Sequence, residues 1–325
     1  MSLLNAILQA TNFKTPLLRT VIPCIGLAYS MQAAAAIPSI VFQTERFYDL
    51  SGSLTYISCT ALSLSLPRLR ARAASAPPPP WNWRQVVLAA AVTAWASRLG
   101  AFLFARIGRD GGRDSRFDGI RGRAVALGLA FAAQATWVAL CLLPVLAVNA
   151  IPARALAALP PVMATDALGL AMYAGGLAFE VVADAQRSRW VQERKEKKHS
   201  EEFLTRGLWS KSRHPNYFGE TTLWTGIATV AAGVMMSNAG QAGMGFAGGL
   251  VGKIGALAMA AVSPAFAAFL LLKVSRLERL VAKLTDTDSK VSGVPLSEKK
   301  YDKRFKGNKE YEKWKRDTPM FIPKL

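Results

Sequence analysis

GLWSKSRHPNYFGETTLWTG, residues 207–226, is the stretch from which the rest of this chain is read. Its first half is basic, with Lys211, Arg213 and His214; its second half opens an apolar run that carries one acid, Glu220. His214 precedes a proline and is biased out of helical geometry, whereas Pro215 suits the first position of a helix. A helix starting there brings Asn216, Gly219 and Glu220 onto one face, at spacings i, i+3 and i+4. Its free N–H groups and positive dipole end then lie beside two or three cations, the chemistry of a phosphate or carboxylate site. A basic loop before a membrane helix also accounts for the cations. It does not account for Asn216 and Glu220, because polar side chains are costly in a bilayer. A buried carboxylate there needs a cationic partner or a proton.

The surroundings of this stretch are apolar in long blocks. The chain has 325 residues, of which 51% are hydrophobic and only 19% charged, with a mean hydropathy of +0.21. Runs of about 18–25 apolar residues are what a bilayer core of about 30 Å requires. They fall at 20–42, 52–66, 83–107, 124–148, 162–183, 215–236 and 250–274, which predicts an all-α, polytopic transmembrane bundle of about seven spans. The second is short and rich in Ser and Thr, which predicts packing inside the bundle. Four segments follow: N-terminal transmembrane helices at 1–67, a basic Pro-rich connector at 68–83, a core bundle at 84–274, and a C-terminal tail at 275–325.

The net charge of +19 sits in loops and the tail, not in a stripe interleaved with aromatics, so nucleic acid is not the expected partner. Anionic membrane lipids and the positive-inside bias explain it more simply. Loops after odd-numbered spans hold roughly 1, 6 and 9 arginines and lysines and the tail roughly 15, against roughly 2, 4, 1 and 1 on the other side. The heavier side, with the C-terminus, is therefore expected in the cytosol. Cys24, Cys59 and Cys141 lie in separate apolar runs and read as small buried hydrophobes. His199 and His214 are the sole histidines and lack ligand-pair spacing, so no metal is expected.

Two connectors around the opening stretch carry charge, the loop at 106–123 and the amphipathic QRSRWVQERKEKKHSEEFLTRGLW at 186–209, which leads into it. RIGRDGGRDSRFDGIRGR, residues 106–123, is either a solvated loop of self-compensating charges or a phosphate-contacting cap. Glu180 and Asp184 end the fifth span four residues apart on one helix face, and Arg98 lies inside the third. The tail closes on TPMFIPKL, too apolar for a free end and so expected to dock back.

SRHPNYFGE followed by an apolar helix resembles the C-terminal half of the steroid 5-alpha-reductase superfamily, and most closely its branch of polytopic membrane proteins of unknown function. ERFYDLSGSLTYI at 45–57, RLGAFLFARI at 98–107, RFD at 116–118 and the tail SGVPLSEKKYDKRF with YEKWKRDTPMFIP extend the likeness over most of the chain. Sterol reductases and isoprenylcysteine carboxyl methyltransferases carry strings similar to RHPNY.

The resemblance implies a seven-helix reductase fold that holds NADPH between the later helices and the cytosolic loops. Asn216 and Glu220 match the N-x-x-G-E pattern of the steroid enzymes. Asp184 matches an Asp ending their preceding helix, with arginines after it as at Arg187 and Arg189, and Tyr311 matches a Tyr of their basic tail. With Lys211, Arg213 and His214, these are the implied cofactor contacts, while Tyr217 and Glu220 are the candidates for acid or orienter beside the nicotinamide. The Glu and Tyr that the family uses in its N-terminal half have no assigned match here, and the His214–Pro215 pair is shared with the methyltransferases.

Reduction of a polarised C=C needs a hydride donor, a proton donor and a group that stabilises the oxyanion. The expectation is thus an NADPH-dependent reductase of a lipophilic enone or enoyl substrate, in the membrane of the endoplasmic reticulum or another organelle. The alternatives are an S-adenosylmethionine-dependent membrane methyltransferase and a non-enzymatic scaffold that keeps the fold. Against the methyltransferase, VSRLERLVAKL has only Glu278 where a Glu-Glu pair is expected.

Overall fold

A helix needs about 20 residues to cross a bilayer core. The computed structural model describes residues 3–109, 111–273, 298 and 301–324; Glu278 and the start of the tail lie outside the described residues. The helices are α1 (Leu3–Ala10), α2 (Pro16–Val41), α3 (Tyr48–Ala73), α4 (Trp83–Arg109), α5 (Ala124–Ala150) and α6 (Ala153–Ala157). They continue with α7 (Ala164–Lys195), α8 (Pro215–Met236), α9 (Asn238–Met244), α10 (Gly249–Lys273) and a tail helix α11 (Lys309–Asp317). Among the described residues there is no strand.

The five helices α2, α4, α5, α7 and α10 are long and apolar enough to cross a membrane. Their outer faces carry apolar side chains that a water-soluble protein would cover, such as Val125 and Val251, 74% and 83% exposed. The protein is an integral, multi-pass membrane protein. The 26-residue α3 and 22-residue α8 are also long enough to span but less apolar, because they turn polar groups inward.

α3 runs from 48 to 73, well past the apolar core at 52–66 from which it was read. Its hydroxyls bond back to their own turn, Ser53 to the Asp49 carbonyl and Thr55 to that of Ser51, so they do not compete with the helix. Arg68, Arg70 and Arg72 then carry it into the interface. Similarly, α7 continues through the charged connector as far as Lys195. Pro215 sits at the first helical position and α8 ends at Met236, the boundaries read from the sequence.

Polar ties register the bundle. Gln32 of α2 donates to the Thr55 hydroxyl at 2.7 Å and accepts from Gln134 of α5 at 3.2 Å. Asn149 of α5 donates to Ser63 at 2.8 Å. Such bonds persist in a low-dielectric interior, where the alternative is an unsatisfied polar group. Successive long helices alternate in direction. One end, here the proximal end, holds loops 42–47, 111–123 and 196–214 and the described tail; the distal end holds 3–15, 74–82, 151–163 and 237–248. Ser75 is accordingly distal and Lys197 proximal. In sealed vesicles, single-Cys variants at these two positions are expected to react with an impermeant maleimide from opposite sides; labelling from one side would overturn the alternation.

Arg116 and Arg121 of the 106–123 loop pair with acids from outside it as well as from within. Arg121 grips Glu45 with two bonds of 2.6 and 2.7 Å, and Arg116 bridges Asp49 and Asp114, each at 2.7 Å. Burial opposes ionisation of Glu45, yet the Arg121 bond and the Asp114 amide hold it below the usual carboxylate range. The network clamps the start of α3 to the start of α5.

Candidate functional site

The start of α8 is built against the end of α7. Trp209 Nε1 donates to the Ala183 carbonyl at 3.0 Å, and the Leu208 amide donates to Gln186 at 2.9 Å. Gly207 has φ +60°, a left-handed geometry that glycine adopts without cost, and a Cβ there would meet Gln186 at 2.6 Å. His214 then leaves helical geometry (φ −137°) and Pro215 opens the helix.

Beyond this turn, α7 and α8 meet backbone to backbone along a glycine seam. A Cβ on Gly176 would lie 2.5 Å from the Leu223 nitrogen, one on Gly219 would lie 2.7 Å from the Glu180 nitrogen, and one on Gly226 would lie 2.4 Å from the Gly169 carbonyl. Small residues let membrane helices approach this closely. The heptad recurrence of Gly219, Gly226 and Gly233 is a signal in the sequence that points to such a seam.

With Gly219 turned to α7, the adjacent face of α8 looks into the bundle. Asn216, Glu220 and Trp224, at i, i+4 and i+8, form a polar stripe along it. Asn216 Oδ1, Thr221 Oγ1 and Trp224 Nε1 are buried without hydrogen-bond partners among the described residues. Glu220 is 8% exposed, and its carboxylate makes no hydrogen bond or ion pair among the described residues. The cation that would answer it is already engaged: Arg98 of α4 bonds Glu180 through one nitrogen, at 2.5 Å, and Asp184 through the other. One guanidinium therefore serves two carboxylates and leaves the third alone. Native proteins rarely leave buried polar atoms unpaired, and those that do so are often at functional sites.

The interior beyond the stripe is aromatic. Trp224 packs edge-on to Trp95 of α4, with ring centroids 5.0 Å apart, and Tyr56 of α3 lies 5.1 Å from Trp95 and 5.8 Å from Trp224. The Tyr56 hydroxyl faces the Cys141 thiol and no stronger acceptor, within electrostatic reach of Glu220. Tyr56 was missed as a site candidate although it lies in the 45–57 segment, because its approach to α8 bridges more than half the chain.

The remaining candidates divide. Arg187 is exposed, stacks over Trp209 at 5.6 Å and makes no ion pair among the described residues. Lys211 is exposed and likewise unpaired. Tyr217 is half-buried and stacks on His214, with ring centroids 5.7 Å apart. Asp184 faces Arg98, whereas Arg189 turns along the surface to Glu193 at 2.8 Å. Tyr311 lies in a separate aromatic cluster with Phe203, Phe305 and Trp314, its hydroxyl given to Asp302 at 2.9 Å.

The described tail is tied to the residues just before α8. Phe321 accepts from the Ser212 hydroxyl, Pro319 from the Arg213 amide, and the Lys324 amide donates to Lys211. Glu298 takes Arg213 at 2.6 Å and His214 Nε2 at 3.0 Å. Burial lowers His214 below the ordinary imidazole value of 6.5, against the pull of Glu298. Burial opposes ionisation of Glu298, yet His214 and Arg213 hold it below the ordinary 4.5. Both depressions favour the docked tail at neutral pH. The His214 share is lost as pH falls below 6.5 and the Glu298 share as it falls below 4.5. Amide exchange at Lys324, corrected for intrinsic rate, is expected to quicken several-fold between pH 7.5 and 5; a rate indifferent to pH would remove His214 from the latch.

A family model described as a protein of unknown function (DUF1295) matches residues 40–245, which takes in the polar stripe, Arg98 and Tyr56 but not the tail. No curated protein and no solved structure matches the chain.

Proposed function

The chain belongs to DUF1295, a family of proteins of unknown function, and on that footing we propose that it is a membrane-embedded, NADPH-dependent reductase of a lipophilic enone or enoyl substrate. The observation that carries this reading is Glu220, a buried carboxylate without a hydrogen-bond or ion-pair partner among the described residues, between a cationic mouth and an aromatic interior. The resemblance of SRHPNYFGE to the steroid 5-alpha-reductase superfamily supports it.

The donor set fits a dinucleotide. Arg187 and Lys211, without an ion pair among the described residues, are suited to take phosphates, with Arg213 and His214 beside them at the α8 start. Asn216 Oδ1, buried and unpartnered, is suited to accept a hydrogen bond from the ribose or amide end. Asp184 keeps Arg98 in place behind it. When bound, NADPH supplies the hydride. Glu220, or Tyr217 nearer the mouth, holds the proton that the second carbon must receive, and Tyr56 is placed to donate to the substrate oxygen. The walls of Trp95, Trp224 and Tyr56 exclude water and admit an apolar substrate.

A second reading, a non-enzymatic scaffold, draws on the neutralisation of Arg98, Arg213 and His214 by acids of the same chain. Calorimetry on detergent-purified protein separates them. NADPH is expected to bind, more tightly than NADH; binding of S-adenosylmethionine alone would make the protein a methyltransferase, and binding of none of the three would favour the scaffold.

A further inference from the structure

The distal end of the bundle carries a different kind of site. A cavity of about 260 Å³ opens there, lined by Arg19, Arg68 and Arg70 with Pro79, Trp81 and Gln85. The described segments that make up this end (3–20, 66–84, 150–166 and 236–253) contain a single acid, Asp166. Arg84 already holds it, at 2.7 Å, with both side chains 1% exposed. Among the described residues no carboxylate pairs with Arg19, Arg68 or Arg70.

The three guanidiniums are nonetheless held in place. Arg70 donates to the carbonyls of Leu8 at 2.7 Å, Thr11 at 3.0 Å and Arg19 at 3.1 Å, which pins α1 and the start of α2 beside it. Its Nε is buried without an acceptor among the described residues. Arg68 lies over the Trp81 ring at 4.5 Å and donates to Pro79 at 3.3 Å, and Arg19 donates to Phe13. The cavity also borders Pro16, the first residue of the 26-residue α2, whose positive end adds to the field. Three positioned cations with no counter-ion repel one another, and an anion with several acceptor oxygens removes that repulsion. Apolar walls from Leu64 and Leu66, at the edge of the bilayer, suit a ligand that is anionic at one end and apolar at the other.

We propose that the distal cavity binds a phosphate group, presented by an anionic phospholipid headgroup or by a free phosphate, through Arg19, Arg68 and Arg70. The site is remote from the polar stripe of α8 and independent of the reductase reading. Full-length protein in a neutral detergent is titrated with dihexanoyl phosphatidylglycerol, dihexanoyl phosphatidylcholine and inorganic phosphate, reading tryptophan fluorescence and the thermal unfolding midpoint. Phosphatidylglycerol is expected to bind and raise the midpoint, and phosphatidylcholine to do neither. Arg68→Gln is expected to weaken binding about tenfold, Arg68→Lys to recover most of the loss, and Arg72→Gln, outside the cavity, to change nothing. An unliganded midpoint like that of the wild type shows that Arg68→Gln has folded. Phosphatidylglycerol binding at least tenfold tighter than phosphate identifies the lipid as the source, and equal affinities identify free phosphate. Equal binding of the two lipids, or wild-type affinity in an Arg19→Gln, Arg68→Gln double variant, would overturn the site.

Discussion

Glu220→Gln is expected to abolish turnover of an enone substrate while weakening NADPH binding by no more than about tenfold, about 1.4 kcal/mol. The amide keeps the size and shape of the carboxyl, so the stripe formed with Asn216 and Trp224 stays packed. What it loses is the group that holds and gives a proton. Because Arg98 is occupied by Glu180 and Asp184, no ion pair is broken by the change. Replacing an unpaired buried carboxylate by a neutral amide is therefore expected to leave stability unchanged or raise it by about 1 kcal/mol. A variant that is inactive yet at least as stable as the wild type is the signature of a functional group. A lower unfolding midpoint with unaltered cofactor binding would make Glu220 a structural residue. Arg187→Ala is the companion test: it is expected to cut NADPH affinity more than NADH affinity, because Arg187 makes no ion pair among the described residues and the 2′-phosphate is what distinguishes the two cofactors. Arg213→Ala is expected to act in the same direction and also to loosen the tail, since Glu298 then keeps only His214 and Lys315.

Gly176→Ala is expected to destabilise the bundle by about 3 kcal/mol, at the upper end of the overpacking range. The added methyl would sit 2.5 Å from the Leu223 nitrogen and 2.7 Å from the Gly219 carbonyl, and both are helix backbone that cannot rotate away. α7 and α8 must then separate, which also moves Glu180 away from the stripe. The neighbour supplies the control: a Cβ on Gly175 meets nothing within 4 Å. Gly175→Ala removes chain entropy without a clash and is expected to stabilise by about 0.5–1 kcal/mol. Thermal unfolding followed by circular dichroism should place the two midpoints about 5–6 °C apart. Equal midpoints would show that the seam is not tight.

Helices and membrane residence were legible because both are local properties. The Pro215 start and the Met236 end of α8 follow from proline geometry and an apolar run, each set within a few residues of chain. The inward-facing α3 was likewise legible from its Ser and Thr content, although its ends were not: hydroxyls that bond back to their own turn let the helix outlast its apolar core. The charged loop at 106–123 left two readings open, and the clamp on Glu45 and Asp49 shows Arg116 and Arg121 engaged, since ion pairing depends on which distant acid comes near.

Asn216 and Glu220 stand on one face of α8 by helical periodicity alone, and no fold is needed to say so. Whether that face meets a cation is another matter. The third carboxylate is left alone because Arg98 reaches Glu180 and Asp184 first, a competition between residues more than 80 positions apart in the chain. Tyr56 and Trp95 join Trp224 only once α3 and α4 pack beside α8. Spacing along a helix is dictated by bond geometry, whereas the partner of a buried charge is decided by which helices the glycine seam and the polar ties bring into contact.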